Sequence, residues 1–303
     1  MLNMDTTLFR DGFRYLCKQS PLIFGALTAI GAVIMWGSMR WLKVNEHTIY
    51  FDNLPEHLEG FRILQIADLH NRSAHRKTLD IWPVVRRLNF DIAAITGDVI
   101  LDKLADLQPH REDFKKLAKR VPTFFIEGNH EKGDLFSQIK CFFEEIGVTV
   151  LDNQVHVLAI GSGQLDIIGT RDYITLLRTR QRGFHQLFSP QRETTNFQLV
   201  LTHQPQTIHW FSDSGADLVL TGHTHGGQIR LPFLPTLYAP LQGFFPKYGD
   251  GFYQVNGTTL YVSRGIGATN FPFRLFNRPE LSVFELARFC TLANCDENLN
   301  RTL

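Results

Sequence analysis

The chain has 303 residues, enough for one large domain or two small ones with a substantial core. Its net charge is +1 and 20% of its residues are charged, which argues against a nucleic-acid-binding surface. There is no internal repeat, low-complexity tract or coiled-coil heptad, and nothing points to an obligate protein partner.

The first feature in chain order is an uncharged run of 21 residues from Gln19 to Met39. As a helix it is about 31 Å long, close to the ~30 Å hydrocarbon core of a bilayer. Arg10, Arg14 and Lys18 flank one side; Trp36, Arg40, Trp41 and Lys43 flank the other. A secretory signal peptide is the competing reading. It would carry a shorter apolar region, and the clearest small-residue site, Ala29-Ile-Gly31, falls inside the run. A buried soluble helix would be unusually apolar all round. The expectation is a single-pass transmembrane anchor at about 19–39, within an N-terminal segment 1–45 at the cell membrane. Three basic residues before the run against two after it lean the rest of the chain toward the extracytoplasmic side.

Strands and helices then alternate. His47–Asp52 and Phe61–Ala67 read as strands, the second ending in Asp68-Leu-His70. A helical stretch around Lys77–Leu88 precedes the strand Asp91–Thr96, which ends in Gly97-Asp98. A helix over Glu112–Arg120 leads to the strand Thr123–Ile126 and then Glu127-Gly-Asn129-His130-Glu131. After a helix around Leu135–Glu145 come short strands near Val148–Leu151, Val155–Ile160 and Leu165–Gly169. Thr170–Pro190 reads as a polar loop with a helical turn or two. Phe197–Thr202 is a strand ending in His203, and Asp217–Thr221 another, ending in Gly222-His223-Thr224-His225-Gly226-Gly227. Beyond this point the chain turns Pro- and Gly-rich. Asn256-Gly257 marks a hairpin between Tyr253–Val255 and Thr258–Val262, and Leu281–Leu286 is a final strand. No linker divides residues 46–290, which read as one α/β domain followed by a tail at 291–303.

The polar residues Asp68, His70, Asp98, Asn129, His130, His203, His223 and His225 each stand just past a predicted strand. In the last motif the two imidazoles, at i and i+2, can face one point. The neighbouring glycines remove side chains that would crowd a ligand. Asp-x-His is a common pattern, whereas Gly-Asn-His-Glu is rare and the full order is not accidental. Carboxylate, imidazole and amide oxygen without thiolate suit Mn, Fe or Zn. Leaving His130 aside, seven such ligands exceed the capacity of one ion, and two ions sharing a bridging carboxylate would use them all. The four cysteines, Cys17, Cys141, Cys290 and Cys295, lack zinc-site spacing; Cys290 and Cys295 are near enough to bridge in an oxidising compartment.

Over residues 61–230 these five motifs resemble those of calcineurin-like metallophosphoesterases. The resemblance implies a fold of two packed mixed β-sheets flanked by helices. It implies one ion held by Asp68, His70, Asp98 and His225, and a second by Asp98, Asn129, His203 and His223, with Mn favoured. Gly226–Pro232, Ser263-Arg-Gly-Ile-Gly267 and Asn277-Arg-Pro-Glu280 are further similar to a bacterial, often membrane-attached phosphodiesterase subgroup. Many relatives carry an Asp three residues after the shared metal Asp. Here that position is Leu101, which leaves the partner of His130 open, with Glu131 as a candidate.

The chemistry expected of such a site is in-line attack on phosphorus by a hydroxide shared between two metals, with His130 protonating the leaving group. Arg264 follows a strand near the site and is a candidate phosphate contact. The apolar loops Leu231–Pro246 and Phe271–Phe276 are candidates for a lip facing lipid or an acyl chain. Three functions stay open. One is a membrane-anchored phosphodiesterase. The second is a hydrolase cleaving the pyrophosphate of a lipid-linked nucleotide sugar of the UDP-diacylglucosamine type. The third is a scaffold without catalysis, which should have lost ligands, and none is missing.

Overall fold

The computed structural model describes residues 25–26, 28–70, 79–179, 195–230, 233–267 and 274–289. Its first sheet runs β1(Lys43–Phe51), β14(Glu280–Arg288), β2(Arg62–Ile66), β3(Ile92–Ile95), β4(Thr123–Phe125), β5(Thr149–Val150). β2 to β5 are parallel to one another, β14 is antiparallel to β2, and β1 is parallel to β14. The second sheet runs β12(Gly251–Val255), β13(Thr258–Val262), β9(Leu218–Thr221), β8(Phe197–Leu201), β7(Gly163–Gly169), β6(Gln154–Ile160), with parallel strands in the middle and an antiparallel strand at each edge. A small ribbon pairs β10(Tyr238–Ala239) with β11(Gly243–Phe244).

The central strands are apolar throughout because both their faces are covered. Ile63, Ile92 and Phe124 point toward Leu165, Leu199 and Leu220, forming the core between the sheets. Their neighbours Leu64, Ala93 and Phe125 point the other way, against helices α2(Trp82–Val85), α3(Arg111–Arg120) and α4(Asp134–Glu145). The outer face of the second sheet, Ile168, Val200, Val219 and Leu260, packs on Leu176 of α5(Tyr173–Thr179) and on Ile208 and Phe211 of α6(Ile208–Ser212). The architecture is therefore the expected pair of mixed sheets flanked by helices. Gln65, buried between the sheets, fastens them: its amide donates to Thr96 Oγ1 and to the Thr221 carbonyl, both at 3.0 Å.

Several local expectations change. The helix expected around Lys77–Leu88 is only the single turn α2 among the described residues, since Pro83 supports a first turn but not a long helix. The helical turn or two expected within Thr170–Pro190 is α5, at the start of that stretch. The last strand lies between β1 and β2, and β1 spans Lys43–Phe51 rather than His47–Asp52. Of the apolar N-terminal run, residues 28–40 form the helix α1, which exposes Ile30, Val33 and Trp36; residues 19–24 and 27 lie outside the described residues. No helix among the described residues is long and apolar enough to cross a membrane. Cys17, Cys290, Cys295 and the tail also lie outside them, while Cys141 is an exposed free thiol.

Candidate metal centre

The polar motifs gather at the carboxyl ends of β2, β3 and β4 in one sheet and β8 and β9 in the other. A parallel strand buried on both faces must break sharply where its hydrogen-bond ladder ends, and five of these residues do so in left-handed backbone. φ is 50° at Asp68, 42° at His70, 52° at Asp98, 71° at His223 and 50° at His225. Such conformations are costly for residues with a Cβ, and the surrounding contacts hold them. Asp68 N–H donates to the Gly97 carbonyl at 3.1 Å and His70 N–H to the Asp98 carbonyl at 3.0 Å. Across the sheets, His223 N–H donates to both Asp68 carboxylate oxygens at 3.1 Å.

Two main clusters result, and a third grouping of His70, Asp98 and His130 overlaps them. In the first, His225 Nε2 lies 3.4 Å from Asp68 Oδ1 and 3.1 Å from His70 Nε2. In the second, His203 Nε2 lies 3.1 Å from Asn129 Oδ1 and 3.3 Å from Asp98 Oδ2, with His223 beside it. Asp98 Oδ2 also lies 3.6 Å from His70 Nε2, so one carboxylate oxygen touches both groups. The rings are aimed by main-chain carbonyls: His70 Nδ1 lies 3.3 Å from that of Ile100, and His203 Nδ1 lies 2.8 Å from that of Thr96.

Burial dominates the electrostatics. It pushes His70 down to about 4, with Asp98 opposing, and His223 down to about 3, helped by His203. Both rings are thus neutral at pH 7 and carry a lone pair. Burial raises Asp68 to about 7. For His203 burial works downward, but the facing Asp98 overrides it and lifts the imidazole to about 10.

His130 stands at the rim, with its side chain 22% exposed. Its backbone N–H donates to Asp98 Oδ1 at 2.9 Å, and its ring Nδ1 lies 2.7 Å from the Leu101 carbonyl. That carbonyl can only accept, so Nδ1 carries the proton and Nε2 faces Asp98 Oδ2 at 3.9 Å. Glu131 is therefore not the partner of His130. Its carboxylate is turned inward to accept N–H groups from Gly128 and Asp98, at 2.8 and 2.9 Å, and from Ile100 at 3.3 Å. Residue 101 does supply the partner, through its backbone.

Arg264 Nε donates to Asp250 Oδ2 at 3.0 Å and lies 3.7 Å from Glu280. Sequence reasoning passed over Arg274, whose buried guanidinium donates to the Arg264 carbonyl at 3.0 Å and places Nη2 3.2 Å from His225 Nδ1. A charged residue inside Phe271-Pro-Phe-Arg-Leu-Phe276 was the available signal, masked by the apolar character of its neighbours. The two flanking motifs also buttress the first cluster. Gly267 N–H donates to the Asp68 carbonyl at 2.7 Å, and Asn277 Nδ2 to the His225 carbonyl at 2.6 Å.

Paired mixed sheets with carboxylate and imidazole groups converging at their strand ends define a metal-dependent hydrolase. The chain belongs to the calcineurin-like phosphoesterase family, whose model matches residues 61–227. It is 33% identical to the uncharacterised metallophosphoesterase YkuE of Bacillus subtilis, over 88% of this chain and 93% of that one. It is 30% identical to the phosphodiesterase YaeI of Escherichia coli, over 81% of this chain and 88% of that one. A UDP-2,3-diacylglucosamine pyrophosphatase, LpxG of Chlamydia muridarum, is 28% identical over 85% of this chain and 95% of that one.

Proposed function

We propose that the protein is a membrane-anchored phosphodiesterase that works with two divalent metal ions. Asp68, His70, Asp98 and His225 would hold one, and Asp98, Asn129, His203 and His223 the other. The observation that carries this reading is the Asp98 carboxylate common to both clusters. The donor set fits Mn, Fe or Zn. His223 Nε2 fits as well: it is buried without a hydrogen-bond partner, an arrangement that is costly unless something binds that edge of the ring. When bound, such ions supply an activated water and neutralise charge on the phosphoryl oxygens.

The chain's own groups supply the rest. His130, its Nδ1 proton committed to the Leu101 carbonyl, turns Nε2 toward the site; as the doubly protonated imidazolium it would donate the Nε2 proton to the departing oxygen and be left neutral, with its remaining proton on Nδ1. The oxygens of Glu131 fix the turn that carries Asn129 and His130. Arg264 serves to hold Asp250, and phosphate contact is not assigned to it. The catalytic domain covers the two sheets, and the uncharged run at 19–39 anchors it, leaving the site outside the cytoplasm. The relative named as a pyrophosphatase supports a second reading, in which the scissile bond is the pyrophosphate of a lipid-linked nucleotide sugar.

A turnover screen of the purified protein with Mn²⁺, over mono-, di- and pyrophosphate esters including lipids, tests both. Diester cleavage lost on adding chelator is expected. Preferential cleavage of the lipid-linked pyrophosphate would favour the second reading, and no turnover of any ester would defeat both.

A further inference from the structure

Beside the first cluster lies a cavity of about 440 Å³, lined by His225, Gly227, Ile229, Leu237, Tyr238 and Pro240, with Thr224 and Gln228. It is bounded by the chain around β10, which belongs to neither large sheet. We propose that this cavity is a slot for the acyl chain of an amphiphilic phosphate ester taken from a bilayer. The inference rests on the phosphoesterase reading and names its substrate class.

Three observations select that occupant. The slot shares His225 with the metal centre, so a group seated in it would be attached to whatever is cleaved there. Its other side chains are mainly apolar, which suits a hydrocarbon tail rather than a sugar or base. Its surroundings are also unusually apolar for a surface: on and beside the ribbon, Phe244 is 78% exposed and Phe245 67%, with Phe233, Tyr238 and Leu241 exposed too. Clusters of this kind on a soluble face are sites of partner or membrane contact.

The patch continues toward the apolar N-terminal run. Ile229 bridges to Leu275, and the next residue, exposed Phe276, donates its N–H to Ser38 Oγ on α1 at 3.1 Å. Ile30, Val33 and Trp36 then carry exposed apolar surface along that helix. A second copy of the chain would also cover such a patch, but would not account for a cavity that ends on a metal ligand.

The test uses full-length, Mn²⁺-loaded protein in lipid nanodiscs, with empty discs as the blank. Calorimetric titration with methyl-, butyl- and octylphosphonate, which lack a scissile ester, should show affinity rising roughly fourfold per methylene buried. Leu237→Gln and, independently, the slot-filling Leu237→Phe should flatten the series. Both should leave methylphosphonate affinity and turnover of bis(p-nitrophenyl) phosphate within twofold of wild type, which also certifies their fold. A flat series in the wild type, or an equal rise in both variants, overturns the slot while leaving the phosphoesterase reading in place. Absence of turnover on every ester overturns that reading itself.

Discussion

Asp98 Oδ2 lies 3.3 Å from Nε2 of His203, and both side chains are buried. Without metal this is a carboxylate facing an imidazolium, each stabilising the charge of the other where water cannot. The same oxygen faces His70 Nε2 at 3.6 Å, so the pair occupies the point where two metal sites would meet.

The metal-free protein should therefore lose stability in alkali. His203 titrates near 6.5 when unfolded and at about 10 when folded, so the native state holds an extra proton between those values. The stability this brings is complete below pH 6.5 and is lost as pH rises through 10. Glu131, raised to about 8 by burial and by Asp98, acts in the same direction as pH rises through 8. His70 and His223, with lowered values, act oppositely, but only below pH 6.5. Urea midpoints in excess chelator should be lower at pH 9.5 than at pH 7. An equal or higher midpoint would contradict the pairing.

Removing the shared carboxylate should differ from removing an unshared one. Asp98→Ala takes a donor from both clusters, whereas Asp68→Ala takes one only from the group with His70 and His225. Elemental analysis of Mn-reconstituted protein is expected to give about two ions for wild type, about one for Asp68→Ala and fewer than one for Asp98→Ala. Equal losses in the two variants would mean that Asp98 does not bridge.

The site was more legible in the sequence than its supports were. Strands such as Ile92–Ile95 announce themselves by composition because both faces are covered, and the residue that follows each must leave the ladder, so polar residues at strand ends stand out. Arg274 and the Leu101 carbonyl act through tertiary contacts that no local pattern encodes. The order of β1, β14 and β2 was hidden for the same reason: residues 43–51 pair with residues 280–288, a match set by packing and not by spacing. Glycines beside the site are visible in the sequence, but those that make informative substitution targets emerge only in three dimensions.

Gly265 is one such target. Its φ is +65°, and a Cβ there would come within 2.6 Å of the Asp68 Cβ. Gly265→Ala thus meets a steric clash together with an unfavourable backbone conformation, at a position with no room to relax except by moving Asp68. Overpacking of this kind costs about 1–3 kcal/mol, before the left-handed penalty. A lower unfolding midpoint and a reduced metal content are expected together. Gly60→Ala, also at positive φ (+74°) but with nothing within 4 Å of its Cβ, should lower the midpoint alone. If Gly60→Ala lost metal to the same degree, crowding of Asp68 would not be the cause.

Substituting His130 should separate proton transfer from metal binding. Its ring nitrogen Nε2 is farther from Asp98 than those of His70 and His203, at 3.9 Å against 3.6 and 3.3 Å, and its side chain reaches solvent where theirs do not. His130→Ala should retain two ions yet lose roughly 10²–10⁴ in kcat on a diester with a poor leaving group, the usual worth of a general acid. An activated ester such as bis(p-nitrophenyl) phosphate, whose leaving group departs without a proton, should suffer much less. Equal losses on both esters would remove the acid role, and loss of an ion would make His130 a ligand instead.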